Sequence, residues 1–507
     1  MSGSLIPDPV PEVPLWKRHF WRNTVSNYIR TVTRLLLGLV LFRLLFSGLS
    51  NAEFGFWSLL WSLFGYGILL DFGFGFTAQK AVAEKATTGE WEELSCLLST
   101  LLWTFVGLAV LLGLFFLAIR LPFLAMLDIP SADYGAFSLA YLIFFAGLSL
   151  TFPFGLFPEV LQGLQRLDLA NWLRTAAVVL NFAGIATALY FEASFVVIVA
   201  VSVVTTLLPN VVALFVVRRM IPRLSLSPRN FRWSAVRSQL GFSIAAYLIT
   251  FSNLLMAKSD QAVLGFTLGV GVIALYQAGY KVAEMFNLFT IQLQEALSPA
   301  AASLNASGDV AGLRDLLLKS SRLTFLVATP LYALCAVYLK PLIQLLTGLE
   351  AVNAQTLLVG HVMLIAILSS QLTNSCSKRI LMMCGYEKKL LVLALLDGGA
   401  NVLLSIVLAL QFGMVGVAWG TLIPTVLVGW LLVLPLTLRY LELSWWYYVR
   451  YHLSVAAPLL LFAVCLFITS RWIPMPDSGG FFSLLLHGSL SAGPAAGWIL
   501  FRKSKLI

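Results

Sequence analysis

Asn27, Arg30, Arg34 and Gly38 recur at intervals of three and four residues in NTVSNYIRTVTRLLLGLVLFRLLF, so they share one face of a helix. Arg43 follows Arg34 by nine residues and points to the other side. A central Arg costs ~3 kcal/mol on membrane-insertion scales, whereas each Leu, Val or Phe returns roughly 0.3 to 0.6. The apolar residues between Leu35 and Phe46 therefore offset barely two arginines, and this helix is poorly suited to lie alone in lipid. Arg30 and Arg43 sit near opposite ends, where a long side chain can snorkel to the headgroups. Arg34 is expected to face water inside the protein, where a guanidinium attracts phosphate and can hold it bidentately.

Other polar side chains fall inside apolar stretches. Asp71 lies in LLDFGFG, near the end of a run from Asn51 to Lys85. An ionisable group at membrane depth is a functional candidate by default, although Asp71 also suits a hydrogen bond where glycines let two helices touch. In FPFGLFPEVLQGLQRLD, Pro153 and Pro158 are expected to break or kink a helix. Glu159 there is either a counter-ion site or a solvated carboxylate, and Asp168 is placed to cap the next helix. Further on, Ser243, Tyr247 and Thr250 share a face, and Lys258 with Asp260 marks where that helix should leave the membrane. Tyr280, Glu284 and Asn287 form one stripe beside Lys281, with Glu295 beyond. Lys281 and Glu284, at i and i+3, either neutralise each other or meet a substrate. Asp397 and Asn401, at i and i+4, are expected to hydrogen-bond between helices.

These side chains must be positioned by membrane helices. The chain is 59% hydrophobic and 11% charged, which excludes an ordinary soluble domain. On a ruler of about 20 apolar residues per crossing, fourteen spans are predicted: 24–47, 53–79, 94–119, 134–162, 169–190, 194–217, 237–258, 262–297, 313–339, 354–376, 390–411, 415–438, 453–471 and 480–501. With both termini on the cytoplasmic side, Lys and Arg in the connecting segments and the adjoining span ends fall 25 to 3 toward that side. A wrong count would have scrambled this positive-inside bias.

The fold class is thus all-α and polytopic. The expected organisation is a cytoplasmic arm at 1–22, an N-lobe at 23–217, a basic linker at 218–236, a C-lobe at 237–440, and two final helices with a short basic tail at 441–507. The halves resemble each other weakly, a common plan where a substrate path runs between repeats. The start holds four prolines and no early apolar segment, so no cleavable signal peptide is visible. Five cysteines without CxxC point to reduced, buried thiols. The net charge of +10 belongs to topology, since the basic residues sit in short loops, and no nucleic-acid partner is expected. His19, His361, His452 and His487 are scattered, and there is no HExxH, P-loop or clustered acid motif. No catalytic residues, metal site or cofactor are expected.

EFGFWSL followed by LLDFGFGFTAQKAVAE, then LQGLQRLDLANWL and DQAVLGFTLGVGVIALYQAGYKVAE, resembles the polysaccharide transporters, or O-antigen type flippases, of the multidrug/oligosaccharidyl-lipid/polysaccharide exporter (MOP) superfamily. The likeness covers roughly residues 23 to 440. It implies two six-helix lobes around a central cavity that move by alternating access, with two further C-terminal helices. It also implies a polyprenyl-diphosphate-linked glycan as substrate, a bacterial cytoplasmic (inner) membrane location, and membrane lipids and polysaccharide polymerase or export machinery as partners. Related lipid II flippases carry an Arg-Asp pair in the first helix, and multidrug members a first-helix Asp. Here the arginines stand without the Asp.

On this reading Asn27, Arg30, Arg34, Tyr280 and Lys281 would bind diphosphate and sugar, while Asp71, Glu159, Asp260 and Glu284 would serve coupling or gating. A multidrug antiporter of the same superfamily and a membrane O-antigen ligase or glycosyltransferase are the alternatives.

Overall fold

The computed structural model describes residues 15–67, 74–234 apart from 128, 130 and 132, 258–472 apart from 293, 295, 296 and 454, and scattered positions between 486 and 497. Asp71, Ser243, Tyr247, Thr250 and Glu295 lie outside the described residues, as do most of the seventh and last predicted spans.

The described chain is helical, with no strand among those residues. In order the helices are α1 Leu15–Gly48, α2 Asn51–Gly67, α3 Phe74–Thr88, α4 Trp91–Ala125, α5 Tyr134–Gly163, α6 Leu167–Tyr190 and α7 Phe195–Met220. After the basic linker come α8 at 258–268 and α9 Val270–Gln292, then α10 Leu297–Ala306, α11 Val310–Val337 and α12 Leu339–Thr347. The series closes with α13 Ala354–Met383, α14 Glu387–Tyr440, α15 Trp445–Leu453 and α16 Ala456–Trp472. Seven of them, α4 to α7, α11, α13 and α14, are long and apolar enough to cross a membrane.

Local chemistry explains several boundaries. Ser50 and Glu53 form a capping box before α2: the Ser50 N–H donates to Glu53 Oε2 at 2.9 Å, and the Glu53 N–H donates to Ser50 Oγ at 3.2 Å. Asp309 caps α11 by accepting from the Gly312 N–H at 2.8 Å. Within α14, Gly413 has φ 61° and ψ −144°, which breaks the helix into two arms. Ser405 faces Gly420 and Leu408 faces Gly416 across that break, so the arms run antiparallel and correspond to the predicted spans 390–411 and 415–438.

Three expectations are corrected. Lys258 and Asp260 do not lie between helices; both are helical, in α8, and the chain turns at Gly269, where φ is 84°. Residues on either side of that turn meet, as Tyr276 does with Asp260 and Ile273 with Gly265. Of the break or kink expected at Pro153 and Pro158, the break is absent, and α5 continues to Gly163. In membranes, neighbouring helices and local adjustments re-satisfy the backbone groups that a proline frees. Asp168 is not an N-cap; Arg166 occupies that position, and Asp168 sits in the first turn of α6.

Contacts divide the chain into two compact units, Met1–Leu45 with Gly67–Ala125 and Pro130–Tyr247, and Phe46–Tyr66 with Met126–Ile129 and Leu248–Ile507. In the first, α5 packs along α3, α4 and α7. Gly163 of α5 abuts the backbone of Gln79 in α3, a close approach that only a small residue permits. In the second, α9, α13 and α14 form the centre, with Gly279 of α9 against Gly360 and the Thr356 carbonyl of α13. α2 belongs to this unit: Gly55 faces the Val270 carbonyl, and Ser62 Oγ donates to the Lys258 carbonyl at 2.7 Å. Two π-helical turns, Gln371–Ser375 in α13 and Gly429–Val433 in α14, pack against each other, with Gly429 set against Thr373 and Asn374.

Candidate functional site

In the first unit the polar groups gather on α1, α5 and α6. Arg30 donates to Asn27 Oδ1 at 2.9 Å, one helical turn earlier. The positive charges of Arg34 and Arg174 both act on Arg30, so three guanidinium groups share this neighbourhood. Arg34 is exposed and has no ion-pair partner among the described residues. Arg174 reaches Glu159 Oε1 at 3.4 Å, and Gln162 donates to the other Glu159 oxygen at 2.8 Å. Glu159 brings one negative charge to three guanidinium groups, an arrangement that favours an anion with several oxygens.

A second group of charges ties α1 to α6. Asp168 is 1% exposed and accepts from Arg22 at 2.8 Å and from Arg166 Nε and a terminal guanidinium nitrogen at 3.0 and 3.3 Å. Next to it Asn171 donates to Ser26 Oγ at 3.1 Å, with both residues buried. Asp168→Asn removes a buried carboxylate that two arginines address. The expected cost is about 1.5–3 kcal/mol, the range for hydrogen bonds to charged groups, read as a lowered thermal midpoint of the purified protein. An unchanged midpoint would show that the clamp contributes nothing net.

Another cleft of the first unit, ≈1400 Å³, lies beside the basic linker, with Glu84, Glu90, Glu92 and Glu93 facing Arg223, Arg229 and Arg232. Lys85 spans part of it, bonding Glu90 at 2.9 Å and also Glu93. These two carboxylates raise the affinity of Lys85 for its proton, Glu93 contributing more.

In the second unit, Asp260 is buried and accepts from the Tyr276 hydroxyl at 2.5 Å and from Thr421 Oγ1 at 3.2 Å to each carboxylate oxygen. Thr421 in turn accepts from Asn401 Nδ2 at 3.0 Å, and Asn401 Oδ1 accepts from Ser259 at 3.1 Å. One continuous network therefore joins α8, α9 and both arms of α14. Tyr280 stacks on Tyr276, with ring centroids 6.2 Å apart. Lys281 bonds Glu284 at 2.7 Å, the neutralising i, i+3 pair among the two options the sequence left open.

Asn401 makes the expected interhelical bond. Asp397 does not: both of its carboxylate oxygens are buried without a hydrogen-bond partner among the described residues. Sequence reasoning missed Arg174, Tyr276 and Thr421 as site members. Tyr276 was within reach, since it extends the Tyr280, Glu284 and Asn287 stripe by one turn.

An all-helical chain with this many long apolar helices and with its polar groups collected inside two units is a polytopic membrane protein. It belongs to the polysaccharide biosynthesis protein family, whose model matches residues 20–305. Its fold is that of the MOP superfamily. The lipid II flippase MurJ, in an inward closed conformation, superposes with a TM-score of 0.71 at 15% identity, covering 96% of this chain and 99% of that one. A multidrug resistance MATE family transporter in an inward-facing conformation gives 0.66 at 15% identity, covering 83% and 98%. A MOP superfamily transporter from Pyrococcus furiosus gives 0.55 at 15% identity, covering 84% and 96%. No curated protein is a significant match to the sequence.

Proposed function

We propose that this protein is a flippase that moves a polyprenyl-diphosphate-linked oligosaccharide across a bacterial cytoplasmic membrane by alternating access. It would serve the synthesis and export of O-antigen, exopolysaccharide or capsule, alongside polymerase or export machinery, with both termini in the cytoplasm. The observation that carries this reading is the cluster of Arg30, Arg34 and Arg174, in which Glu159 balances only part of the charge. A diphosphate offers the several anionic oxygens that such a cluster can hold, while the lipid tail stays in the bilayer and the sugar crosses through water. The described first helix has no Asp or Glu, which fits an anionic cargo better than the organic cation of a multidrug antiporter. Flipping breaks no bond, so no catalytic group or cofactor is needed. Tyr280 and Lys281 would contribute contacts to the glycan. Glu159 and Glu284 act as counter-charges, and Asp260 gates by holding α8, α9 and α14 together.

The test is translocation of a fluorescent polyprenyl-diphosphate oligosaccharide in proteoliposomes. The wild type should transport it, and Arg34→Ala should lower the initial rate about ten- to hundredfold, the loss of a charge-assisted contact worth ~1.5–3 kcal/mol. Transport retained by a folded Arg34→Ala protein would remove Arg34 from the anion path. Absence of transport by folded wild type across several glycans and gradients would sink the flippase reading.

A further inference from the structure

Asp397 departs from the pattern of every other buried charged group described above. It lies ten residues into α14, about 15 Å along the helix from its start. It is fully buried, and among the described residues no donor reaches either oxygen. One turn further on, Asn401 has two partners, so the isolation of Asp397 is not a general looseness of this region.

Lys378 of α13 is the charged group that acts on Asp397, and the influence is mutual. The two do not touch: Lys378 is half-buried and makes no ion pair among the described residues. His361 of α13 is held between the Leu357 and Ala336 carbonyls at 2.9 and 3.0 Å. Arg379 follows Lys378 in α13, and Asp260 of α8 is bound by Tyr276 and Thr421.

An ionised carboxylate sealed from water and given no donor is among the most expensive states a side chain can adopt, and such a group neutralises instead. Were both groups charged in this conformation, the long, rotatable lysine stem would let them close to contact. We propose that Asp397 is a proton-binding site of this protein, holding the proton as a neutral carboxylic acid here and releasing it when Lys378 closes on the carboxylate. The step balances: an acid and a separate ammonium become a carboxylate–ammonium pair, and one proton leaves for solvent. In this step Lys378 is the ammonium on both sides, and it positions the anion that remains. The site therefore links proton occupancy to the relative placement of α13 and α14.

The test needs no cargo, so it can fail while the flippase reading stands, and the reverse. Infrared spectra of the purified protein in liposomes at neutral pH should contain a protonated-carboxyl C=O band. That band should shift on carboxyl-¹³C aspartate labelling and be lost in Asp397→Asn, while persisting in Asp260→Asn. Thermal midpoints supply a second readout. Asparagine is the uncharged isostere of the acid, so Asp397→Asn should match or exceed the wild-type midpoint, and Lys378→Met should leave it unchanged. A standing ion pair predicts the opposite: no acid band, a lower midpoint in each single variant, and recovery in Asp397→Asn/Lys378→Met. That result, or failure of Asp397→Asn to fold, would overturn the proposal.

Discussion

Gly55→Ala is expected to lower the thermal midpoint well below that of Gly38→Ala, and Gly55→Val to leave no monodisperse protein. A Cβ at Gly55 would lie 1.8 Å from the carbonyl oxygen of Val270 and 2.7 Å from its carbonyl carbon. The obstacle is backbone and cannot rotate away. Val270 also opens α9 directly after the turn at Gly269, whose φ of 84° fixes where the new helix begins. α2 must therefore move as a body. Overpacking costs ~1–3 kcal/mol where side chains can adjust and more where they cannot, against a total stability of ~5–15 kcal/mol for a typical domain. Movement of α2 would also strain the bond from Ser62 to the Lys258 carbonyl. Gly38→Ala is the matched control, since a Cβ there meets nothing within 4 Å. Size-exclusion profiles and thermal midpoints in detergent decide the matter. Equal midpoints for Gly55→Ala and Gly38→Ala would show that the α2–α9 contact yields freely.

Periodicity and span length made the helices legible. The arms of α14 meet at Gly413 between the predicted spans, and α4 to α7 follow theirs within a few residues. The turn between α8 and α9 was misplaced because Lys258, Ser259, Asp260 and Gln261 read as a polar loop. Sequence patterns register polarity but not satisfaction. Asp260 and Ser259 are buried because Tyr276, Thr421 and Asn401, distant in the chain, supply their partners. The same limit hid Arg174, which counts as one more cation near a cytoplasmic span end until Glu159 and Arg30 are seen beside it. It also made Asp397 and Asn401 look equivalent. The π turns at Gln371–Ser375 and Gly429–Val433 had no local signature at all, since each depends on the other's packing through Gly429 and Thr373.

Transport should fall sharply on Asp260→Asn. The carboxylate accepts from two donors on different helices, Tyr276 on α9 and Thr421 on the second arm of α14. An asparagine offers one oxygen and turns a donor toward a hydroxyl that already accepts from Asn401. At least one buried hydroxyl then loses its charged acceptor, at about 1.5–3 kcal/mol. If alternating access requires this junction to hold in one conformation and release in another, that energy enters the balance between conformations directly. A shift of this size changes the population ratio about ten- to hundredfold, and the rate of the cycle with it. Tyr276→Phe removes one donor and leaves the carboxylate with Thr421, so its loss should be smaller in the same proteoliposome assay. The junction assignment requires the order Asp260→Asn, then Tyr276→Phe, in loss of initial rate, with wild-type size-exclusion profiles for both. Wild-type rates in folded Asp260→Asn would reduce Asp260 to a packing role.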